Sequence, residues 1–169
     1  MKKNLFYVAL IIIFSAVLGG CNIKVPEPLS PEGFQQVFTT IEGETMELST
    51  DLFTDQAARL LLGRMHDVNI VYYQMETEED AGELFNTIRE ELIQKDDATT
   101  KAESSTVYRT RGSGGSYFLK HDRNVVLLGT GFEDDDEELR YLFYKLGYYK
   151  YDTTYFKNQV EVYEQTFGY

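Results

Sequence analysis

The sequence contains few of the residues on which several classes of protein depend. It has one cysteine and no tryptophan in 169 residues, which excludes an internal disulfide framework and a zinc site built from several cysteines. Basic residues are scarce, 16 against 28 acidic ones, and the formal net charge is −12. Proteins that bind the phosphate backbone need a basic surface, so the sequence predicts no nucleic-acid partner.

The sequence also lacks an apolar run long enough to cross a membrane. The longest such run covers residues 5–18, and its 14 residues fall short of the roughly 20 that a helical span requires. The mean hydropathy of −0.35 excludes a protein with several membrane spans. A content of 43% hydrophobic and 14% aromatic residues argues against a disordered chain, and the length predicts one folded domain.

The apolar run at residues 5–18 has the features of a secretory signal. Lys2 and Lys3 form a short basic region before it, and the chain becomes polar directly after Cys21. A basic start, an apolar centre and small residues at the cleavage site are the parts of a signal peptide. The sequence therefore predicts a signal peptide over residues 1–20.

The residues Leu18-Gly19-Gly20-Cys21 resemble the lipobox of bacterial lipoproteins. The resemblance implies cleavage between Gly20 and Cys21 and a covalent diacylglycerol, with acyl chains such as palmitate, on the Cys21 thiol. Two or more acyl chains hold a protein stably on a bilayer, because each buried CH₂ contributes about 0.8 kcal/mol. No further cofactor is expected. Asn22 stands where an aspartate would signal inner-membrane retention, so one-membrane and two-membrane hosts both stay open.

Two other interpretations of this segment are an ordinary cleaved signal peptide with an incidentally buried Cys21, and an uncleaved N-terminal anchor. Under the lipoprotein interpretation the mature chain loses Lys2 and Lys3, so its formal net charge becomes −14. An acidic domain is repelled by anionic lipid, which leaves the acyl chains as its attachment to the membrane.

The segment after the cysteine is predicted to be a tether. Residues 21–33 contain all three prolines of the protein, Pro26, Pro28 and Pro31, and proline favours extended backbone over helix. The predicted organisation is therefore a signal peptide at 1–20, an acylated tether at 21–33 and a single domain at 34–169.

The body of the chain predicts an α+β domain with the element order α-α-β-α-β-β-β-α-α. Helical periodicity and capping residues alternate with runs of β-branched and aromatic residues. The expected architecture is a two-layer sandwich with helices packed on one face of a small, mostly antiparallel sheet. Strands are predicted at residues 67–75, 106–111, 116–120 and 125–130. Helices are predicted to begin at Ser30, Thr54, Thr77 and Glu133, and a last one is expected around Phe156, Val160, Tyr163 and Phe167.

Two local features have both a functional and a structural interpretation. The acidic run 133–138 could bind a cation, but it lacks the spacing and the glycine of a calcium loop, and carboxylates also stabilise a helix N-terminus. The segment Gly112-Ser113-Gly114-Gly115 could hold an anion through its backbone N–H groups. It joins two predicted strands, however, which favours a hairpin turn.

The sequence contains no recognisable catalytic motif. His66-Asp67 and His121-Asp122 are the two candidate acid–base pairs, and neither lies in the sequence context of a known hydrolase or metalloprotease motif. The sequence predicts neither a catalytic residue nor a metal site. An envelope enzyme stays possible, because catalytic groups can converge from distant positions.

The C-terminal third is rich in tyrosine, with eight of the twelve tyrosines of the mature chain in residues 141–169. Tyrosine is enriched at interfaces because it supplies contact area at low entropic cost. Together with the most basic part of the chain, it defines a candidate interaction surface. That surface consists of Tyr144, Tyr148, Tyr149, Tyr151, Arg109 and Arg111.

These observations predict a lipid-anchored protein on the extracytoplasmic side of the cell membrane. Its domain is expected to bind an envelope protein or a glycan. The alternative is a cell-envelope enzyme, or an accessory subunit of an envelope complex.

Overall fold

A seven-stranded antiparallel sheet forms the centre of the fold. The computed structural model describes residues 27–94, 100–112 and 114–149. The strands are Glu44–Glu47 (β1), Arg59–Met65 (β2), Val68–Gln74 (β3), Thr100–Ser104 (β4), Val107–Gly112 (β5), Gly115–Asp122 (β6) and Val125–Gly131 (β7). Their spatial order is β1-β2-β3-β7-β6-β5-β4, and each neighbouring pair is antiparallel.

Helices cover both faces of this sheet. They are Pro31–Thr40 (α1), Glu78–Gln94 (α2) and Asp136–Lys145 (α3), the last preceded by a 3₁₀ turn at Glu133–Asp135. On one face, α1 and α3 pack with Ile70 of β3 and Leu127 of β7. On the other face, α2 packs with Tyr73 of β3 and Val126 of β7.

The predicted α+β class, with helices on a mostly antiparallel sheet, is confirmed. The predicted run 125–130 is β7, which lies at the centre of the sheet with three strands on either side. The structure has three layers where the sequence predicted two, because the central strands are apolar on both faces. Val125 to Leu128 are all buried, and a strand of that kind needs a cover on each side.

The helix predicted to begin at Thr54 is wrong, since residues 59–65 form β2. The residues Leu61, Leu62 and Met65 fit a helical stripe as well as they fit a strand. The neighbouring strands decide between the two, because β2 pairs with β1 on one side and with β3 on the other. Neither β1 nor β4 was among the predicted strands.

Several local predictions are confirmed. Ser30 caps α1 by accepting a hydrogen bond from the Gly33 N–H at 3.1 Å, and Thr77 accepts one from the Asp80 N–H at the start of α2. Gly147 follows α3 with φ of +81°, the left-handed conformation of a helix terminus. The glycine-rich segment joins β5 to β6, although Ser113 itself lies outside the described residues, as does the helix predicted around Phe156.

Candidate functional site

A groove of about 460 Å³ opens at one end of the sheet. We call this end, where β3 begins and β7 ends, the groove end. We call the opposite end, where β3 ends and β7 begins, the tether end. The groove is bounded by the β2–β3 turn, the β5–β6 hairpin and the connection from β7 to α3. Its lining residues are Asp67, Asn69, Gly114, Gly115, Tyr117, Thr130, Gly131, Phe132 and Glu133.

Three neighbouring strands place a row of polar side chains in the groove. Thr130 on β7 is directly opposite Asn69 on β3 and directly opposite Tyr117 on β6. Residues directly opposite in a sheet share a face, and this row lies on the face that α2 covers. Arg64 on β2 extends it, because its Nε donates a hydrogen bond of 3.0 Å to Asn69 Oδ1.

The walls of the groove come from backbone and from one exposed ring. Phe132 is 70% exposed, and its backbone N–H donates to Asp135 Oδ2 at 2.6 Å. Gly115 has φ of +120°, and a Cβ there would lie 2.7 Å from the carbonyl oxygen of Gly131. Only glycine fits that position. The hydroxyl of Tyr117 donates to the Gly114 carbonyl at 2.8 Å, which fixes the phenol beside this wall.

The acidic run 133–138 forms the 3₁₀ turn and the first turn of α3, as the helix-terminus interpretation predicts. Asp136 is only 4% exposed. Its carboxylate accepts two hydrogen bonds from Arg109, at 3.1 and 2.9 Å, and lies 3.2 Å from the Arg140 guanidinium. Within the described part of the chain, no group of three or more His, Cys, Asp or Glu residues is placed to hold a metal ion.

The structure does not bring the six residues of the candidate interaction surface together. Arg109 joins β5 to α3 through Asp136, and Arg111 lies 3.7 Å from Asp134 at the groove end. Tyr148 and Tyr149 are half-buried. The Tyr148 hydroxyl lies against Leu29 at the tether end, whereas the Tyr149 ring meets Phe118 edge to face at 5.7 Å. Tyr144 is 40% exposed. Tyr151 lies outside the described residues, as does Cys21.

The two histidines lie at opposite ends of the sheet. His66 is in the β2–β3 turn with φ of +49°, and its Nδ1 lies 2.9 Å from Glu138 Oε1. His121 is near the β6–β7 turn, and its Nε2 lies 2.6 Å from the Arg123 carbonyl oxygen. Neither of these two short contacts is with the adjacent aspartate that the sequence suggested as a partner.

Two tyrosines fix the chain before α1 to the domain. The N–H of Leu29 donates to the Tyr148 hydroxyl at 3.0 Å, and the Tyr72 hydroxyl donates to the Leu29 carbonyl at 2.8 Å. The Leu29 side chain packs against the core on the face of α1 and α3. We call this arrangement the Leu29 clamp. It lies at the tether end, since Tyr72 is near the end of β3.

Alkaline pH is expected to destabilise the domain from about pH 10 upward. Burial raises the pKa of Tyr148 to about 12, despite the opposing hydrogen bond from Leu29, and burial also raises the pKa of Tyr72 and Tyr73. An unfolded tyrosine titrates near pH 10. A raised pKa in the folded state therefore contributes stability that is full below about pH 10 and is lost as the pH rises towards 12. Urea unfolding across this range measures the loss.

The Tyr148→Phe variant is the control for the alkaline destabilisation, because it removes one of the three phenols with a raised pKa. Its stability should fall less steeply above pH 10 than that of the unchanged protein. Equal slopes would show that Tyr148 titrates normally in the folded state.

Comparisons with protein-family models, with curated proteins and with solved structures find no match for this chain. None of the helices in the described ranges is both long enough and apolar enough to cross a membrane.

Sequence reasoning missed the groove because its parts are far apart along the chain. Asn69 and Thr130 each interrupt an apolar strand, and a polar residue in a buried strand is a local signal of a site. Phe132, between a glycine and an acidic run, is a second such signal. Their convergence depends on strand register, which no single segment contains.

Proposed function

We propose that this protein is a membrane-anchored bacterial lipoprotein whose extracytoplasmic domain is a binding module. The observation that supports the proposal is the Leu29 clamp at the end of the sheet opposite the groove. Cys21 is eight residues before Leu29. A fully extended chain spans at most about 3.3–3.6 Å per residue, so a lipid on Cys21 would hold the tether end within about 30 Å of the bilayer.

The groove would then face away from the membrane. Tyr72 of the clamp and Asn69 of the groove are three residues apart on β3, and a strand rises about 3.3 Å per residue, so the groove begins about 10 Å beyond the clamp. The clamp also shortens the free tether. Of the thirteen residues predicted as tether, those from Leu29 onward are fixed to the domain. A short tether and a fixed attachment point orient the domain, which favours binding to a partner outside the cell membrane.

Replacement of Cys21 tests the anchor. In the proposed protein, metabolic labelling with a palmitate analogue marks the chain, and mass spectrometry finds a diacylglycerol-modified cysteine as the mature N-terminus. The Cys21→Ser variant should lose the label entirely, because the thiol is the acceptor. The Asn22→Ala variant is the matched control and should keep the label, since the acceptor is intact. An unmodified Cys21 in a secreted soluble protein would contradict the proposal.

A further inference from the structure

We propose that the groove binds a glycan, a neutral chain of hydroxyl-rich sugar rings. This inference rests on the proposed function as a binding module and names the ligand class of the groove. Sugar hydroxyls both donate and accept hydrogen bonds, and a sugar ring also has an apolar face of C–H groups. A site for such a ligand needs mixed donors and acceptors, an exposed aromatic ring, and no excess of positive charge.

The polar row supplies the mixed hydrogen-bonding groups. Asn69 offers an amide, Thr130 a hydroxyl that donates and accepts, and Tyr117 a phenol. Adjacent strands are about 4.8 Å apart, so these groups follow one another across the sheet at intervals comparable to the length of a sugar ring. The bond from Arg64 orients the Asn69 amide and leaves its two N–H donors directed elsewhere. A row fixed by sheet register is preorganised, which lowers the entropic cost of binding.

Phe132 supplies the aromatic surface. It is 70% exposed at the groove, whereas nine other Phe and Tyr side chains in the described ranges are fully buried or nearly so. Its backbone N–H is fixed by the Asp135 carboxylate, so the ring is attached at a fixed position on the wall of the groove. An exposed aromatic ring beside convergent polar groups is typical of binding sites, and its face can stack on the C–H face of a sugar.

The charges around the groove select against other ligands. Asp67 and Glu133 line it, and among the described lining residues none is a lysine or an arginine. Two carboxylates repel phosphate and acidic polymers, while each can accept hydrogen bonds from two neighbouring hydroxyls. A volume of about 460 Å³ is within the range of about 300–1,000 Å³ of ligand sites. The groove reaches the surface of the domain, which suits a segment of a longer chain.

Titration of the full chain, purified in detergent, tests the proposal. The probes are chitohexaose and maltohexaose, two neutral hexasaccharides of different linkage, and hexalysine is the comparison ligand. We expect calorimetric binding of at least one hexasaccharide. The Phe132→Ala and Thr130→Val variants should each weaken it about tenfold, the size of a hot-spot truncation. Leu52→Ala, a change at an 84% exposed apolar side chain outside the groove, is the matched control and should bind normally.

Each outcome decides the proposal. Oligosaccharide binding that both groove variants weaken and the control does not would support it. No binding of either hexasaccharide at millimolar concentration, unchanged binding in Phe132→Ala, or stronger binding of hexalysine than of both sugars would overturn it. Thermal unfolding of each variant separates lost binding from lost folding. The result also tests the groove separately from the lipid anchor, because Cys21 is not among the described residues that line the groove.

Discussion

Replacing Gly63 with valine is expected to destabilise the domain by about 3 kcal/mol, near the upper end for overpacking of a core. Gly63 lies in β2 under the Phe38 ring of α1, and a Cβ there would be 2.4 Å from Phe38 Cε2 and Cζ. Phe38 is fully buried, and its ring centroid is 4.9 Å from that of Phe34. The ring therefore has little room to move aside, and α1 must shift away from the sheet. Urea unfolding measures the change.

Gly82→Ala is the matched control for Gly63→Val. Gly82 lies within α2, and a Cβ there would meet only His121 Cε1, at 3.7 Å, an ordinary contact distance. Alanine in a helix interior is favoured over glycine by about 0.8–1 kcal/mol, so this variant should be more stable than the unchanged protein. In the double variant Gly63→Val, Phe38→Ala, the total loss should be smaller than the sum of the two single losses. Additive losses would show that the two residues do not compete for the same space.

Replacing Asp136 with alanine is expected to cost about 3–5 kcal/mol, the range found when one partner of a buried ion pair is removed. The Asp136 carboxylate is 4% exposed and receives the guanidinium groups of Arg109 and Arg140. Removing it leaves two half-buried cations close together, with no anion between them. Because Arg109 is on β5 and Asp136 begins α3, the change also removes a polar link between the helix and the sheet. Thermal and urea unfolding both report the loss.

Asp134→Ala is the control for Asp136→Ala. The Asp134 side chain is 99% exposed and lies 3.7 Å from Arg111, and exposed ion pairs contribute little to stability. The variant should unfold like the unchanged protein, although both aspartates belong to the same acidic run. If the two variants lost equal stability, the effect would come from the net charge of the run and not from the buried ion pair.

The acidic run 133–138 marks a helix start in the sequence, but it does not show which of its carboxylates is buried. Six consecutive carboxylates predict a helix N-terminus, and α3 begins there. The sequence does not distinguish Asp136 from Asp134, because burial depends on where β5 places Arg109. For the same reason Arg109 was predicted to lie on an exposed surface. Charge patterning predicts the element, whereas the function of each charge depends on tertiary contacts.

The strands show a similar limit. β7 was predictable because it is apolar throughout, and β5 and β6 were predictable because a glycine-rich turn joins them. β1 is four residues long with two glutamates, so neither its apolar content nor its alternation marks it as a strand. In β2, Gly63 was the informative residue, since glycine is costly in a helix interior and often indicates close approach of another element within a strand.

The Leu29 clamp also determines how the domain would respond to mechanical force. Tyr72 connects Leu29 to β3, and β3 pairs with β7 over six residue pairs. While the clamp holds, a force applied between Leu29 and a chain bound in the groove would act parallel to these two strands. The hydrogen bonds of an antiparallel pair are perpendicular to the strands, so such a pull loads them in shear, and they share the tension instead of opening one after another. A domain linked to the membrane at one end and to an extracellular polymer at the other would thus resist extension along its strongest direction.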